Sequence, residues 1–146
     1  KNNPESVFLA GFPEADPKLN DETLIDRWNV IRDIRKDVTR VLEELRQDGN
    51  IGNALQADVK LSANGDELSL LRTIGKDALA DIFLVSSVSI EEGNQAPAAV
   101  KSTEEKCPRC WRQGHGVGTH LTYRELCARC ADVISELVEK GEVILD

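Results

Sequence analysis

All four cysteines of the 146-residue chain fall in one short segment, KCPRCWRQGHGVGTHLTYRELCARC, from Lys106 to Cys130. Their spacing is C-x2-C-x16-C-x2-C, made by Cys107, Cys110, Cys127 and Cys130. A two-residue gap in a tight turn points both sulfurs of a pair to one side. Two such turns complete a tetrahedron of thiolates around one metal ion at ~2.3 Å per bond. Pro108 and Ala128 suit the turns, and Gly114, Gly116 and Gly118 let the loop between them fold back. Four sulfurs leave no open coordination position. The expected cofactor is therefore one structural zinc ion, contributing folding free energy to a segment that has almost no apolar residues of its own. Two disulfides, a redox-active pair and a four-sulfur iron site are the competing readings. The matched pairs and the absence of an export signal count against the first two, while spacing does not separate iron from zinc. His115 and His120 are read as loop residues, because four cysteines already complete a site.

Around this segment the chain is acidic, with a formal net charge of -8. That balance argues against a non-specific nucleic-acid binder. The charge is not uniform, however. Lys101, Lys106, Arg109, Arg112, Arg124 and Arg129 outnumber Glu104, Glu105 and Glu125 between Ala99 and Cys130, so the cysteine segment is a positive island on a negative chain. No apolar run reaches the ~20 residues needed to cross a bilayer, and no membrane partner is expected. The first twenty residues carry no apolar core of signal-peptide length, so a cytoplasmic location is expected. The chain has no methionine, even at position 1, and SVFLAGFP reads as an extended connector. A trimmed chain or a piece of a longer polypeptide is expected.

The fold class predicted is α+β. Leu24, Trp28, Ile31, Ile34, Val38, Val41, Leu42 and Leu45 recur at spacings of three and four, which predicts one long amphipathic helix from Asp21 to Asp48. Asn20 or Asp21 can cap its start, and Gly49 and Gly52 end it. From Leu55 to Ala63 the period changes to two, which predicts a half-buried strand. ANGDE follows as a turn with Asp66 as a possible cap, then one or two short helices over Glu67–Phe83 broken near Gly75. A second strand is predicted from Ile82 to Ile90, parallel to the first through a crossover, and a third, short strand over 98–103. The last helix is predicted from Cys130 to Lys140, with Val133, Ile134, Leu137 and Val138 on its apolar face. The domain reading is a connector over 1–20, a long helix with a small α/β unit over 21–97, and a zinc-finger module with its helix over 98–146.

Arg109, Trp111, Arg112 and Arg129 sit in or beside the two turns. They read either as a solvated surface with Trp111 packed over the loops, or as contacts to phosphates and an unstacked base. Arg32, Lys36 and Arg40 form a second basic stripe at i, i+4 and i+8. Intrahelical pairing of Arg32 with Asp33 or Asp37, and of Arg40 with Glu43 or Glu44, is the simpler reading of it. Trp28 is read as a core residue.

The segment KCPRCWR…ELCARC resembles the carboxy-terminal zinc finger of bacterial isoleucyl-tRNA synthetases. Upstream, SVFLAGFPE is similar to the end of that family's anticodon-binding helical domain, and WNVIRDIRKDVTRVLEELRQDGNIGNALQADVKL to its long helix, IG turn and following strand. The match runs through essentially all 146 residues. The resemblance implies the carboxy-terminal region of an isoleucine–tRNA ligase, a zinc-binding, ATP-dependent enzyme of protein biosynthesis, acting as a monomer on tRNA(Ile). It implies that the metal module positions tRNA, with Arg109, Trp111, Arg112 and Arg129 as the contact residues. No catalytic residue is expected in this chain. Neither a HIGH-like nor a KMSKS-like segment is present, nor a dinucleotide-binding glycine fingerprint, so ATP would bind only in another part of the enzyme. The remainder of the synthetase would be its other partner. A fragment of a formamidopyrimidine-type DNA glycosylase and a stand-alone zinc interaction module are the alternatives.

Replacing one ligand should separate the two parts of the chain. Cys127→Ser is expected to release the metal and unfold the segment after about Ala99, leaving the helix and α/β unit folded. Hydrogen exchange with and without a chelator checks this, and loss of both parts together would contradict it.

Overall fold

The computed structural model describes residues 4–12 and 14–142. One long helix, α1 (Glu22–Gln47), leads into a strand, two short helices and two more strands. Asp21 caps α1, its carboxylate accepting from the Leu24 amide, so one of the four orphan donors at the helix start is satisfied. The chain leaves α1 through Gly49 at φ 73, as the spacing predicts. A single 3-10 turn (Ala54–Gln56) precedes β1 (Ala57–Ala63), so Leu55 lies before the strand rather than in it. The alternation predicted for β1 holds: Ala57, Val59, Leu61 and Ala63 are buried, while Lys60 is exposed.

Helix α2 (Gly65–Ile74) starts after Asn64, and Asp66 lies inside its first turn instead of capping it. Gly75, at φ 85 and ψ 151, separates α2 from α3 (Lys76–Phe83). The second strand, β2, spans Ser87–Glu92 and starts five residues later than the apolar run suggests. Ile82 and Phe83 belong to α3, because Leu84 takes the left-handed conformation that ends a helix and Val85 donates back to Ala80. The last strand, β3, covers Ala98–Lys101.

The sheet order is β2-β1-β3, with β1 and β2 parallel and β3 antiparallel to β1. Val59 stands beside Val88 and Ala99, and Leu61 beside Ile90, so one sheet face is apolar across all three strands. Ile31, Val38 and Leu42 of α1 join Leu68 and Leu71 of α2 and Leu79, Ala80 and Phe83 of α3 on that face. The other face is polar, with Ser87 donating to Asp58 at 2.6 Å and Lys60 paired with Glu91 at 2.8 Å. Because β3 bonds along β1, the sheet runs across the boundary expected between residues 97 and 98.

The outer face of α1 pairs within itself, though not in the pairs the sequence suggests. Lys36 meets Asp33 at 2.7 Å, Arg40 meets Asp37 at 3.1 Å and Arg46 meets Glu43 at 2.7 Å. The hydrogen bond from Lys36 holds the Asp33 carboxyl below the usual carboxylate range. Trp28 is not in the core: it is 46% exposed. Among the described residues no helix is long and apolar enough to cross a membrane.

Leu71 is fully buried where α2 meets the sheet. Leu71→Ala should lower the unfolding free energy by about 2–5 kcal/mol, as removal of a well-packed core leucine does. A urea titration followed by far-ultraviolet circular dichroism measures it.

Candidate metal centre

The four sulfurs converge. Each of Cys107, Cys110, Cys127 and Cys130 places its Sγ within 4.8 Å of the others. Cys110 and Cys127, one from each pair, have sulfurs 3.7 Å apart. That is far beyond a disulfide bond of about 2.05 Å. It matches the edge of a tetrahedron with ~2.3 Å metal–sulfur bonds, about 3.8 Å. Cys107, Cys127 and Cys130 are buried and Cys110 is half-buried. All four are free thiols. The donor set and its shape are those of a closed metal site.

The two pairs are held differently. In the first, the Trp111 amide donates to the Cys107 carbonyl at 2.9 Å and the Cys107 amide to the Arg112 carbonyl at 2.8 Å. The turn so closed forces Trp111 to φ 68, a region that favours glycine. The second pair opens helix α4 (Ala128–Glu139), with Cys127 as its cap residue and Cys130 in its first turn. Burial pushes the Cys107 thiol up, but amides of Cys110, Cys127 and Arg109 outweigh it and bring it to about 6. Burial among the other sulfurs pushes Cys127 up to about 12. One charge is thus readily carried by the cluster and further ones repel, which is the condition a cation relieves.

The sequence-named residues separate into two groups. Arg109 reaches the cluster, its Nη1 lying 3.6 Å from the Cys130 sulfur. Partial burial opposes the Arg129 charge, but the sulfurs of Cys130 and Cys110 more than offset it and raise its pKa. Trp111 is 56% exposed, with Lys106 Nζ 5.4 Å from its ring centroid. Arg112 points the other way. Its side chain is only 15% exposed and forms an ion pair with Asp81 of α3. Val133 and Val138 of α4 are exposed, so its apolar face is only partly covered.

Ser86 and Gln113, which the sequence left unremarked, and His115, read there as a loop residue, join the metal module to the sheet. Ser86, fully buried before β2, donates its hydroxyl to the Leu55 carbonyl at 2.5 Å and accepts from the Gln113 amide at 2.7 Å. His115 Nε2 meets the Ser86 carbonyl, a contact that requires a proton on Nε2. The Gln113 side-chain nitrogen, in the orientation its neighbours require, donates to the carbonyls of Gln56 at 3.3 Å and Ser102 at 3.2 Å. A cleft of about 1240 Å³ lies beside this joint. Arg72 and Lys76 face it, but so do Asp58, Asp77, Glu104 and Glu105, which leaves it without the positive field a polyanion needs.

A small α/β unit carrying four converging cysteine sulfurs, placed to hold one metal ion, is what the described residues define. No model of a known protein family matches the chain. Its homologues are isoleucine–tRNA ligases, which it matches over a short segment of their length. It is 35% identical to the isoleucine–tRNA ligase of Moorella thermoacetica, over 96% of this chain and 17% of that protein. It is 38% identical to isoleucine–tRNA ligase 1 of Burkholderia mallei, over 94% and 15%, and 32% identical to the ligase of a Janthinobacterium species, over 97% and 15%. The chain thus spans about a sixth of the length of the relatives it matches. The homology runs through the helix and sheet as well as the cysteines, which leaves a glycosylase fragment without support.

Removing the Ser86 hydroxyl strands a buried carbonyl and a buried amide. Ser86→Ala should cost about 1–3 kcal/mol. It should also split one cooperative unfolding transition into two, read as hydrogen exchange in the cysteine module rising before that of β1. A single unchanged transition would show that the joint carries no coupling.

Proposed function

We propose that the chain is the tRNA-positioning region of an isoleucine–tRNA ligase, stapled by one structural zinc ion and containing no catalytic site. The whole enzyme would ligate isoleucine to tRNA(Ile) with ATP, in the cytoplasm and as a monomer. ATP would bind in the remainder of the polypeptide. In this reading residues 1–20 connect to that remainder, 21–97 together with β3 form the supporting unit, and the rest of 98–146 forms the zinc module.

The zinc reading rests on the donor set. Four thiolates in a buried tetrahedral arrangement suit zinc, and a closed site suits a structural role over a catalytic one. When bound, the ion would neutralise the sulfurs and fix the two turns to each other. The protein's own groups then set what the module shows to solvent.

Trp111 carries the tRNA reading. A bulky residue at φ 68 costs of order 1–3 kcal/mol where glycine would cost little. That strain is spent on an indole left 56% exposed, with Lys106 beside its ring and Arg109 on the same turn. An exposed aromatic ring flanked by cations is the arrangement that takes an unstacked base and its phosphate. Arg129 adds charge at the second turn. Arg112 acts at one remove, holding the module against Asp81 so that Trp111 faces outward.

In the full-length ligase, Trp111→Ala should lower kcat/KM for tRNA by roughly tenfold, as loss of one base stack does. Isoleucine-dependent ATP–pyrophosphate exchange should be unchanged. The residual tRNA affinity should fall with salt, as phosphate contacts do. Unaltered tRNA kinetics would make Trp111 a packing residue and sink the assignment.

A further inference from the structure

The first buried residue of α1 is Ile31, although the helix starts at Glu22. Its first nine residues, about 14 Å of helix, therefore project past the core. They are not polar. Leu24, Ile25, Trp28 and Val30 are all exposed there. Leu24, Trp28 and Ile31 follow one stripe, and that stripe runs into a groove of about 250 Å³ between α1 and the α2–α3 pair. The groove is walled by Trp28, Leu70, Ile74, Ala78 and Ile82 over the buried Ile31, and Arg27 is its one charged residue. Just before it in sequence, Val7, Phe8, Leu9 and Phe12 stand almost fully in solvent. Uncovered apolar residues gathered at one end of a molecule mark a surface that another polypeptide covers.

We propose that this groove and the projecting start of α1 seat an apolar helical face from the remainder of the ligase polypeptide. This rests on the reading of the chain as part of that enzyme. Three observations select this occupant. The relatives are about six times longer than this chain, so most of the polypeptide lies elsewhere and is tethered to it at high local concentration. The exposed apolar residues of 7–12 precede, in sequence, the exposed start of α1 that forms one wall of the groove, so one neighbour can cover both. The lining is apolar with a single cation, which suits a protein face and not the phosphates of tRNA. The metal module would then present Trp111 from a base fixed at two places, by the Ser86 joint and by this seat.

The chain has only two tryptophans, Trp28 in the groove and Trp111 on the metal module, so each reports on one surface. Hydroxyl-radical footprinting with mass spectrometry would compare the 146-residue chain with the full-length ligase carrying it. Oxidation of Trp28 should fall about fivefold in the full-length protein without tRNA, as it passes from half-exposed to interface core. Trp111 should be oxidised equally in both. Ala78→Glu, on the exposed rim of the groove, should raise Trp28 oxidation in the full-length ligase toward that of the isolated chain. Equal Trp28 oxidation in the two proteins would overturn the proposal. So would protection that appears only on adding tRNA, or protection in the isolated chain that rises with its concentration alongside a sedimenting dimer. Protection of Trp111 by tRNA(Ile) is read in the same experiment and tests the functional reading separately, so either can fail while the other stands.

Discussion

The hydroxyl of Ser86 is the point on which the two halves of the molecule meet. It is fully buried between the end of α3 and the start of β2, donating to the Leu55 carbonyl and accepting from the Gln113 amide. Each of those backbone groups is inside the protein, where an unpartnered amide or carbonyl costs about 1–3 kcal/mol. One side chain satisfies both. Because Gln113 is three residues past Cys110, the same bond that completes the sheet's edge also sets where the first metal turn lies. His115 and the Arg112–Asp81 ion pair reinforce that setting on either side. In the proposed reading a metal would staple the module internally, while the serine sets how the module faces the sheet.

This changes how the cysteine module and the α/β unit depend on each other. Among the described residues the module has little apolar core, with only Val117 and Leu126 packing around the sulfurs, so in the proposed reading its order would come from the metal. The unit has its own core of three helices on a sheet, and is expected to fold without the metal. Loss of the ion would leave Ser86 with one partner instead of two. The coupling is therefore asymmetric: the core supports the module more than the module supports the core.

The long helix and the metal cluster were legible in the sequence because each is a local periodic pattern. Apolar residues every three or four positions select one helix face, and CxxC spacing selects a turn that presents two sulfurs together. β1 and the Gly75 break were legible for the same reason. The start of β2 was not, since Ile82, Phe83, Leu84 and Val85 are apolar in either state. The left-handed turn at Leu84 that decides the matter has no glycine to announce it. The Ser86 joint was invisible because it pairs residues 27 apart through a backbone amide, and neither partner has a distinctive spacing. Arg112 carries the same charge whether it meets RNA or Asp81, so only its burial against α3 tells them apart.

Trp28 and Trp111 show how burial assigns meaning to a residue type. Both are aromatic and about half exposed, but their surroundings differ in charge. Trp28 stands among leucine and isoleucine with one arginine, in a helix whose backbone is unstrained. Water is excluded from such a surface most favourably by another apolar surface, at roughly 25 cal/mol per Å². Trp111 stands beside Lys106, on the same turn as Arg109 and on a backbone that glycine would occupy without strain. An apolar protein face laid on it would bury those charges unpaired, at a cost that exceeds the gain from covering one indole. A polyanion with exposed bases pairs the charges and covers the ring together. In the proposed reading the same side chain is thus directed to a protein neighbour on one surface and to tRNA on another, by the charges the fold places beside it.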